Sequence, residues 1–153
     1  MGIIVPLDPA TCGVTTDSSN HPAPSVLIVD DSPVNCLMLR QCLKHTPYEV
    51  DEAHDGAVAL AKVKARRYDF IVMDLLMPEM DGFEAMREIR CWEDAQGAAP
   101  ACIIIITLTA WELKEARHES LMCGADAHLT KPIDKAKLLE VLHTQRARIG
   151  NRR

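Results

Sequence analysis

The sequence predicts one α/β domain, in which five parallel strands alternate with five helices to form a doubly wound sheet. Short apolar runs recur along the 153 residues, and segments with helical spacing of apolar residues lie between them. Fully apolar runs are typical of strands covered on both faces, and strands that alternate with helices favour a parallel sheet. The chain is long enough for one domain with a proper core.

The first strand and helix follow a Pro-rich segment. Residues 26–29 form an apolar run, and Ser32-Pro33 is a favourable helix start because proline suits the first helical turn. The apolar face predicted for this helix consists of Val34, Leu37, Met38 and Cys42, which recur at helical spacing.

The second and third units repeat the pattern. Residues 48–53 alternate between apolar and polar side chains, which favours an edge strand, and a helix is predicted from about Gly56. Residues 70–73 form the third strand, and Asp81 is placed to cap the helix after it. The predicted inward residues are Ala57, Leu60 and Ala61 in the second helix, and Phe83, Met86 and Ile89 in the third.

The last two units complete the alternation. The fourth strand is predicted over residues 102–107 and the fifth over residues 127–129. Cys123-Gly124 is predicted to end the helix between them, because glycine readily adopts the backbone conformation that ends many helices. The apolar faces of the last two helices are predicted at Leu113, Ala116, Ser120 and Leu121, and at Leu138, Leu139 and Leu142.

The predicted domain covers residues 25–147. Residues 1–24 are rich in Pro, Thr, Ser, Asp and Asn, which predicts a flexible tail or linker. An alternative is that Ile3-Ile4-Val5 docks on the domain or on a partner. Residues 148–153 form a predicted basic C-terminal tail, whose cations suit a helix end.

Composition excludes several classes of protein. A net charge of −5 argues against a nucleic-acid surface. No run approaches the roughly 18 apolar residues of a membrane span, and the first residues lack the basic start of a secretory signal. We therefore expect a soluble, cytoplasmic protein that uses neither nucleic acid nor membrane. The six cysteines show neither a Cys-x-x-Cys pair nor zinc spacing, which predicts reduced structural thiols.

Polar residues follow the predicted strands at four places. Asp30-Asp31 follows the first strand, Asp74 the third, Thr109 the fourth, and Lys131 the fifth. The carboxyl ends of parallel strands meet at one edge of an open sheet, where such sheets bind ligands. Three carboxylates, a hydroxyl and a lysine at one edge predict a magnesium-assisted phosphoryl site.

Each of the three acidic residues has a functional and a structural interpretation. Adjacent Asp30 and Asp31 repel unless a cation lies between them, and Mg²⁺ favours carboxylate oxygens. The structural alternative is that one of the two caps the helix that begins at Pro33. Asp74 is the candidate nucleophile, since a carboxylate that attacks phosphorus yields an acyl phosphate. Alone it would be an ordinary strand-ending aspartate.

Thr109 and Lys131 complete the predicted site. Thr109 is a possible helix cap, and Thr107 competes for its role because residues two apart on a strand share a face. Thr109 is chosen because it lies nearer the predicted rim. Lys131 precedes Pro132 and follows an apolar strand, which favours an ammonium that pairs with phosphoryl oxygens rather than an ordinary surface lysine.

Four motifs in this order resemble response-regulator receiver domains. They are Val-Asp-Asp (29–31), Met-Asp-Leu-Leu-Met-Pro-Glu-Met-Asp-Gly (73–82), Leu-Thr-Ala (108–110) and Leu-Thr-Lys-Pro (129–132). Asp31-Ser32-Pro33-Val34-Asn35 is most similar to receivers of hybrid kinases and phosphorelays. The resemblance covers residues 25–147 and implies a flavodoxin-like (βα)5 fold with strand order 2-1-3-4-5.

The resemblance also implies the role of each site residue. Asp74 would accept phosphoryl from a phosphohistidine on a histidine kinase or histidine phosphotransfer protein. Mg²⁺ or Mn²⁺ would be held by Asp31, Asp74 and the backbone carbonyl of Leu76, with Asp30 acting largely through water. Thr109 and Lys131 would contact the phosphoryl group. The peptide between Lys131 and Pro132 would be cis.

Two positions depart from the commonest pattern of the family. His128 occupies the switch position, which is usually aromatic. An imidazole changes charge near neutral pH, which predicts a partner affinity that depends on pH between about 5.5 and 7.5. The alternative is that His128 is an edge-strand residue without a switching role. Leu76 is apolar where many members carry a polar side chain, so the lifetime of the acyl phosphate is not predicted.

Three functions remain open from the sequence. The first is a stand-alone receiver that catalyses only its own phosphorylation and dephosphorylation and is otherwise not an enzyme. Few residues follow the last helix, so we expect its output to be an unidentified protein contact or onward phosphotransfer. The second is a receiver excised from a larger hybrid histidine kinase. The third is a Mg-dependent aspartate-nucleophile phosphohydrolase, although Asp74-Leu75-Leu76 lacks the second acid usual in that class.

Overall fold

A computed structural model describes residues 23–97, 103–110 and 114–150. The strands are β1 Ser25–Val29, β2 Glu49–Ala53, β3 Phe70–Asp74, β4 Ile104–Thr109 and β5 Ala127–Thr130. The helices are α1 Pro33–Leu43, α2 Gly56–Ala65, α3 Gly82–Ala95, α4 Lys114–Met122 and α5 Lys135–Gly150. The predicted alternation of strands and helices is confirmed.

The strands form one parallel sheet in the order β2-β1-β3-β4-β5, as the resemblance implies. β2 lies at an edge, as its alternating sequence predicts. Met73 pairs with Val29, Leu108 with Asp74, and Thr130 with Thr109. This register brings the carboxyl ends of β1, β3, β4 and β5 to one edge of the sheet, where the predicted site residues lie.

Two apolar layers cover the sheet because successive residues of a strand point to opposite faces. One layer includes Val29, Ile71 and Ile105 and packs against α2 and α3. The other includes Ile28 and Val72 and packs against α1 and α5. Since both faces of the central strands are buried, their continuous apolar runs are explained by this doubly wound arrangement.

The predicted helix ends are confirmed. The side chain of Ser32 accepts a hydrogen bond from the Asn35 N–H at the start of α1, and Asp81 accepts one from Glu84 in α3. α4 ends at Met122, and Gly124 has a φ of 108°, a conformation that side chains rarely adopt.

The predicted apolar face of α1 is wrong except at Cys42, which is partly buried against the core. Val34, Leu37 and Met38 are exposed, and α1 packs through the buried residues Cys36, Leu39 and Leu43. Apolar residues occupy most positions of this short helix, so their spacing defines two faces and the sequence does not show which one is covered.

Two further inward predictions are wrong in part. Ala57 and Ala61 are exposed and Leu60 is half-buried, because α2 packs through Gly56, Ala59 and Val63. In α4, Ser120 is buried as predicted, but Leu121 is 46% exposed. In the third and fifth helices, Met86, Ile89, Leu138 and Leu142 are buried as predicted, and Phe83 and Leu139 are partly buried.

Some predicted boundaries move or fall outside the described residues. β4 continues through Thr109, two residues beyond its predicted end, and Cys102 lies outside the described part of the chain, as does Leu113 of α4. α5 continues through Gly150, so the first residues of the predicted C-terminal tail 148–153 are helical. Residues 1–22, with Ile3-Ile4-Val5, are not described.

The described cysteines Cys36, Cys42, Cys91 and Cys123 are free thiols, as predicted. Burial raises the pKa of Cys36 to about 11, with smaller contributions from Glu52 and Asp30, so this thiol is uncharged at neutral pH. Within the described ranges, no helix combines the length and hydropathy needed to cross a membrane.

Candidate functional site

The three predicted acidic residues lie together at the carboxyl edge of the sheet. Carboxylate oxygens of Asp30, Asp31 and Asp74 all lie within 4.8 Å of one another. Asp30 and Asp74 are buried, whereas Asp31 is exposed. Buried like charges at this separation repel strongly unless cations compensate them. The donor set therefore fits a hard divalent cation that binds through oxygen and retains waters, as Mg²⁺ does.

Asp30 is held by several donors. The Ser32 N–H donates to Asp30 Oδ1 at 2.9 Å, and the Asn35 side-chain amide lies 3.4 Å from Oδ1 and 3.2 Å from Oδ2. Lys131 Nζ lies 3.2 Å from Oδ2. The backbone is fixed as well, because the Asp30 N–H donates to Ala53 of β2 at 3.1 Å. Asp30 therefore has a fixed orientation at the base of the site.

Asp74 is an acid whose charged form is disfavoured. Burial and the neighbouring Asp30 raise its pKa, and Lys131 and the backbone N–H of Leu76 oppose this increase. The segment after Asp74 folds back so that Gly82 packs against the Asp74 carbonyl. Any side chain at position 82 would clash with this carbonyl. A fixed carboxylate whose negative charge is only partly compensated is suited to attack an electrophile that arrives with a cation.

Lys131 links the two buried acids. Its ammonium lies 3.2 Å from Asp30 Oδ2 and 3.3 Å from Asp74 Oδ1. Burial disfavours the charged ammonium, but Asp74 and Asp30 outweigh this effect and raise the pKa of Lys131. The side chain therefore stays charged and points into the site. The peptide between Lys131 and Pro132 is cis, as the resemblance implies.

The two candidate threonines of β4 have different surroundings. Thr109 is the last residue of the strand, is 1% exposed, and its carbonyl accepts the Lys131 N–H at 2.8 Å. The Thr107 hydroxyl lies 2.9 Å from His128 Nδ1 and donates to the Ala127 carbonyl at 3.4 Å. Thr109 thus lies at the rim beside Lys131, and Thr107 lies one step further into the sheet.

His128 is partly buried on β5. Burial lowers the pKa of its imidazole, and Arg117 of α4 lowers it further. The ring is therefore neutral at pH 7, and its Nδ1 is fixed by Thr107. Leu76, the other unusual position, is 48% exposed at the mouth of the site.

Two sets of contacts are not evident from the sequence. Ser32 and Asn35 contact Asp30, and the only signal was the Ser-x-x-Asn spacing at the helix start. At the opposite edge of the sheet, Arg90 lies 2.6 Å from Glu93 and 2.9 Å from Asp126, and it also donates to the carbonyls of Gly124 and Ile103. Such a network depends on tertiary contacts that spacing along the chain does not reveal.

Comparison with known proteins gives the same class as the site. The family model for the response regulator receiver domain matches residues 26–143. The sensor protein GacS of Pseudomonas syringae is 36% identical over 120 residues, which is 78% of this chain and 13% of GacS. The chain therefore corresponds to a small part of this longer relative.

Solved structures agree. The receiver domain of the Pseudomonas aeruginosa sensor histidine kinase PA1611, which has a magnesium ion coordinated in the active-site cleft, is 35% identical with a TM-score of 0.69. The match covers 81% of this chain and 96% of that one. A chain in the complex of Saccharomyces cerevisiae Ypd1, a histidine phosphotransfer protein, with the Ssk1 receiver domain is 31% identical with a TM-score of 0.72. That match covers 76% of this chain and 84% of the other chain.

Fold, site and similarity define a two-component signalling domain rather than a classical enzyme. The chain belongs to the response regulator receiver domain family and is similar to the receivers of hybrid histidine kinases.

Proposed function

We propose that the protein is a phosphoacceptor that takes a phosphoryl group onto Asp74 and thereby switches a protein-binding surface. The observation that carries this proposal is the position of Asp74, buried beside Asp30 and 3.3 Å from the Lys131 ammonium. A structural role alone gives no reason to bury two neighbouring acids with one lysine between them.

Transfer of the phosphoryl group from a phosphohistidine to Asp74 needs no further reactant. An oxygen of the Asp74 carboxylate bonds to phosphorus, the phosphorus–nitrogen bond breaks, and its electron pair returns to the imidazole of the donor. Lys131 contacts the phosphoryl oxygens, and Thr109 donates its hydroxyl proton to one of them.

Asp31, Asp74 and the Leu76 carbonyl are the proposed ligands of Mg²⁺ or Mn²⁺, and Asp30 acts through water. The bound cation neutralises charge on the carboxylates and the phosphoryl group. The exposed position of Asp31 and the separation of the carboxylate oxygens, all within 4.8 Å of one another, support this assignment.

The proposed donor is a histidine kinase or a histidine phosphotransfer protein. A donor that reaches Asp74 must cover the mouth of the site, which is bordered by α1 and the loop after β3. Val34 and Leu37 of α1 and Leu76 of the loop are 65%, 55% and 48% exposed. These apolar residues give such a donor a surface to bury. The similarity to a structure in which a receiver is crystallised with Ypd1 supports the same class of partner.

The proposed output surface is the face formed by α4, β5 and α5, and its protein target is unidentified. His128 of β5 contacts Thr107 of β4, which precedes Thr109 by two residues on the same strand. A groove of about 360 Å³ on the same side is lined by residues of β5 and α5, among them Leu129 and Val141. Movement of Thr109 toward a phosphoryl group would alter the space available to His128.

Two alternatives remain. The chain is a receiver from a larger hybrid kinase if it functions within one polypeptide, which the similarity to a small part of GacS favours. A phosphohydrolase would turn over phosphate esters steadily, whereas a receiver takes one phosphoryl group at a time onto its aspartate and does not act on esters. We place the protein in the cytoplasm, where phosphohistidine donors of this kind act.

The test is labelling with acetyl phosphate, with and without Mg²⁺, followed by intact mass. The expected result is one phosphoryl group per chain that requires the cation and is lost in Asp74→Asn. Asp94→Asn is the matched control, because Asp94 is an exposed acid in α3. Normal labelling of Asp74→Asn would overturn the assignment, and continuous release of phosphate from an ester would favour the hydrolase. Trp111, whose fluorescence could otherwise be used to follow phosphorylation, lies outside the described residues.

A further inference from the structure

Asn35 makes contacts that its place in a helix does not explain. It is the third residue of α1, and its backbone N–H donates to the side chain of Ser32, which caps the helix. Glu or Gln at this position commonly reaches back to the capping residue's own N–H. Here the Ser32 N–H donates to Asp30 instead, and the Asn35 side chain also points to Asp30.

The amide of Asn35 contacts both oxygens of Asp30, at 3.4 Å and 3.2 Å. Its nitrogen must face the carboxylate, because the amide oxygen would repel two acceptor atoms. Asparagine is also a poor helix former compared with the longer Gln or Glu. The contact with Asp30 therefore supplies a reason for this side chain that helix formation does not.

Asp30 has little acceptor capacity left for a direct bond to a cation. Each carboxylate oxygen accepts about two hydrogen bonds. Oδ1 faces the Ser32 N–H and the Asn35 amide, and Oδ2 faces the Asn35 amide and Lys131. Asp31, in contrast, is exposed and has no hydrogen bond or ion pair with any residue in the described ranges.

We propose that Asn35 is a positioning residue that keeps Asp30 one water away from the bound cation and so makes the site selective for Mg²⁺ over Ca²⁺. This inference rests on the proposed metal-dependent function. Mg²⁺ retains several waters and binds through one or two carboxylates, whereas Ca²⁺ takes six to eight oxygen ligands at longer distances. Holding a third carboxylate back therefore suits Mg²⁺.

The Asn35 amide is the donor whose loss would release Asp30 at the lowest cost. The Ser32 N–H belongs to the backbone at the helix start, and Lys131 carries a charge that both acids share. A neutral side-chain amide holds a carboxylate less strongly than an ammonium does. Without Asn35, each oxygen of Asp30 keeps one donor, Ser32 N–H or Lys131, and gains a free acceptor position that can bind a larger cation directly.

The experiment measures the dissociation constants of Mg²⁺ and Ca²⁺ by calorimetry on the full chain at one pH. Asn35→Leu has a similar shape but lacks the hydrogen-bond donor. Asn35→Ala is a second variant, which shows whether an effect seen with leucine comes from its packing rather than from loss of the donor. The ratio of the two constants should move toward Ca²⁺ by about tenfold or more, the size expected from one hydrogen bond to a charged group. Gln41→Ala removes an exposed amide from the same helix and should leave the ratio unchanged.

A double-mutant cycle separates positioning from general loosening. In an Asp30→Asn background the change Asn35→Leu should no longer shift the ratio, because the carboxylate it controls is gone. If Asn35→Leu only loosened the start of the helix, it would lower the melting temperature measured in chelator and weaken the binding of Mg²⁺ and Ca²⁺ to the same extent. Wild-type protein that binds Mg²⁺ with the same selectivity as Asn35→Leu overturns this inference alone. Wild-type protein that binds neither cation overturns the proposed function as well.

Discussion

Lys131 and Asp74 are joined across the carboxyl edge of the sheet, with Nζ 3.3 Å from Oδ1. The same ammonium lies 3.2 Å from Asp30, so one positive charge serves two buried acids. A phosphoryl group on Asp74 would add negative charge at the point that Lys131 already faces. This position makes Lys131 a group that responds to phosphorylation as well as one that stabilises the unphosphorylated fold.

Lys131→Ala should impair the response to phosphorylation more than metal binding. Removing the ammonium deletes a contact to the phosphoryl oxygens but relieves no repulsion among the carboxylates, so Mg²⁺ affinity should be kept or increased. The measurements are Mg²⁺ titration by calorimetry and the NMR shift changes caused by beryllofluoride. Lys137→Ala, an exposed lysine of α5, is the control. A collapse of Mg²⁺ affinity with an intact beryllofluoride response would show that Lys131 is misassigned.

Asp74→Asn should raise the melting temperature of the metal-free protein at pH 7. Burial and Asp30 disfavour the charge on Asp74, as its raised pKa indicates, and the neutral amide removes that repulsion. Lys131 keeps Asp30 as its partner. Saturating Mg²⁺ should stabilise wild type more than the variant, so the difference between their melting temperatures should become smaller. Calorimetry in chelator gives the sign of the change in melting temperature. A variant that melts below wild type contradicts this account.

Arg90→Met should destabilise the fold by roughly 3–5 kcal/mol, the range for breaking a buried ion pair on one side. Its guanidinium, 15% exposed, contacts Glu93 and Asp126, and the substitution leaves both acids without it. Arg87→Met on the same helix is the control, since Arg87 is exposed and contacts only the Cys123 sulfur among the described residues. Urea denaturation of both variants gives the comparison, and equal stabilities would contradict a structural role for Arg90.

The fold was predictable because its signals are local. Each central strand is an apolar run, each is followed by a helix, and Ser32, Asp81 and Gly124 end or begin helices by their own chemistry. The site was predictable because Asp74 and Lys131 follow strands that a parallel sheet aligns.

Other features were not predictable because they depend on packing. α1 carries apolar residues on its exposed face as well as on its buried face, so the sequence pattern places Val34 and Leu37 on the wrong side. Asn35 contacts Asp30 through a side-chain orientation that no spacing rule specifies. Arg90 and Asp126 meet across 36 residues of sequence, and only the folded sheet brings them together.

His128 leads to the last prediction, in which pH affects both stability and partner binding. Its pKa is lowered by burial and then by Arg117, from an ordinary value of about 6.5. Between the lowered pKa and about 6.5 the unfolded chain binds more protons at this position than the folded chain, so stability falls as pH falls through that window. Protonation makes both ring nitrogens donors, so the Thr107 hydroxyl, 2.9 Å from Nδ1, would then have to accept a hydrogen bond from the ring.

We therefore expect the affinity of the phosphorylated protein for its target to depend on pH on the acid side of the range between about 5.5 and 7.5. His128→Tyr should abolish this dependence and keep the switch, because a phenol fills similar space without changing charge there. His54→Tyr is the control, since His54 is exposed between β2 and α2, away from the proposed output surface. Denaturation midpoints and partner affinity across the range decide the matter: if wild type and His128→Tyr have the same pH profiles, His128 is a bystander at the edge of the sheet.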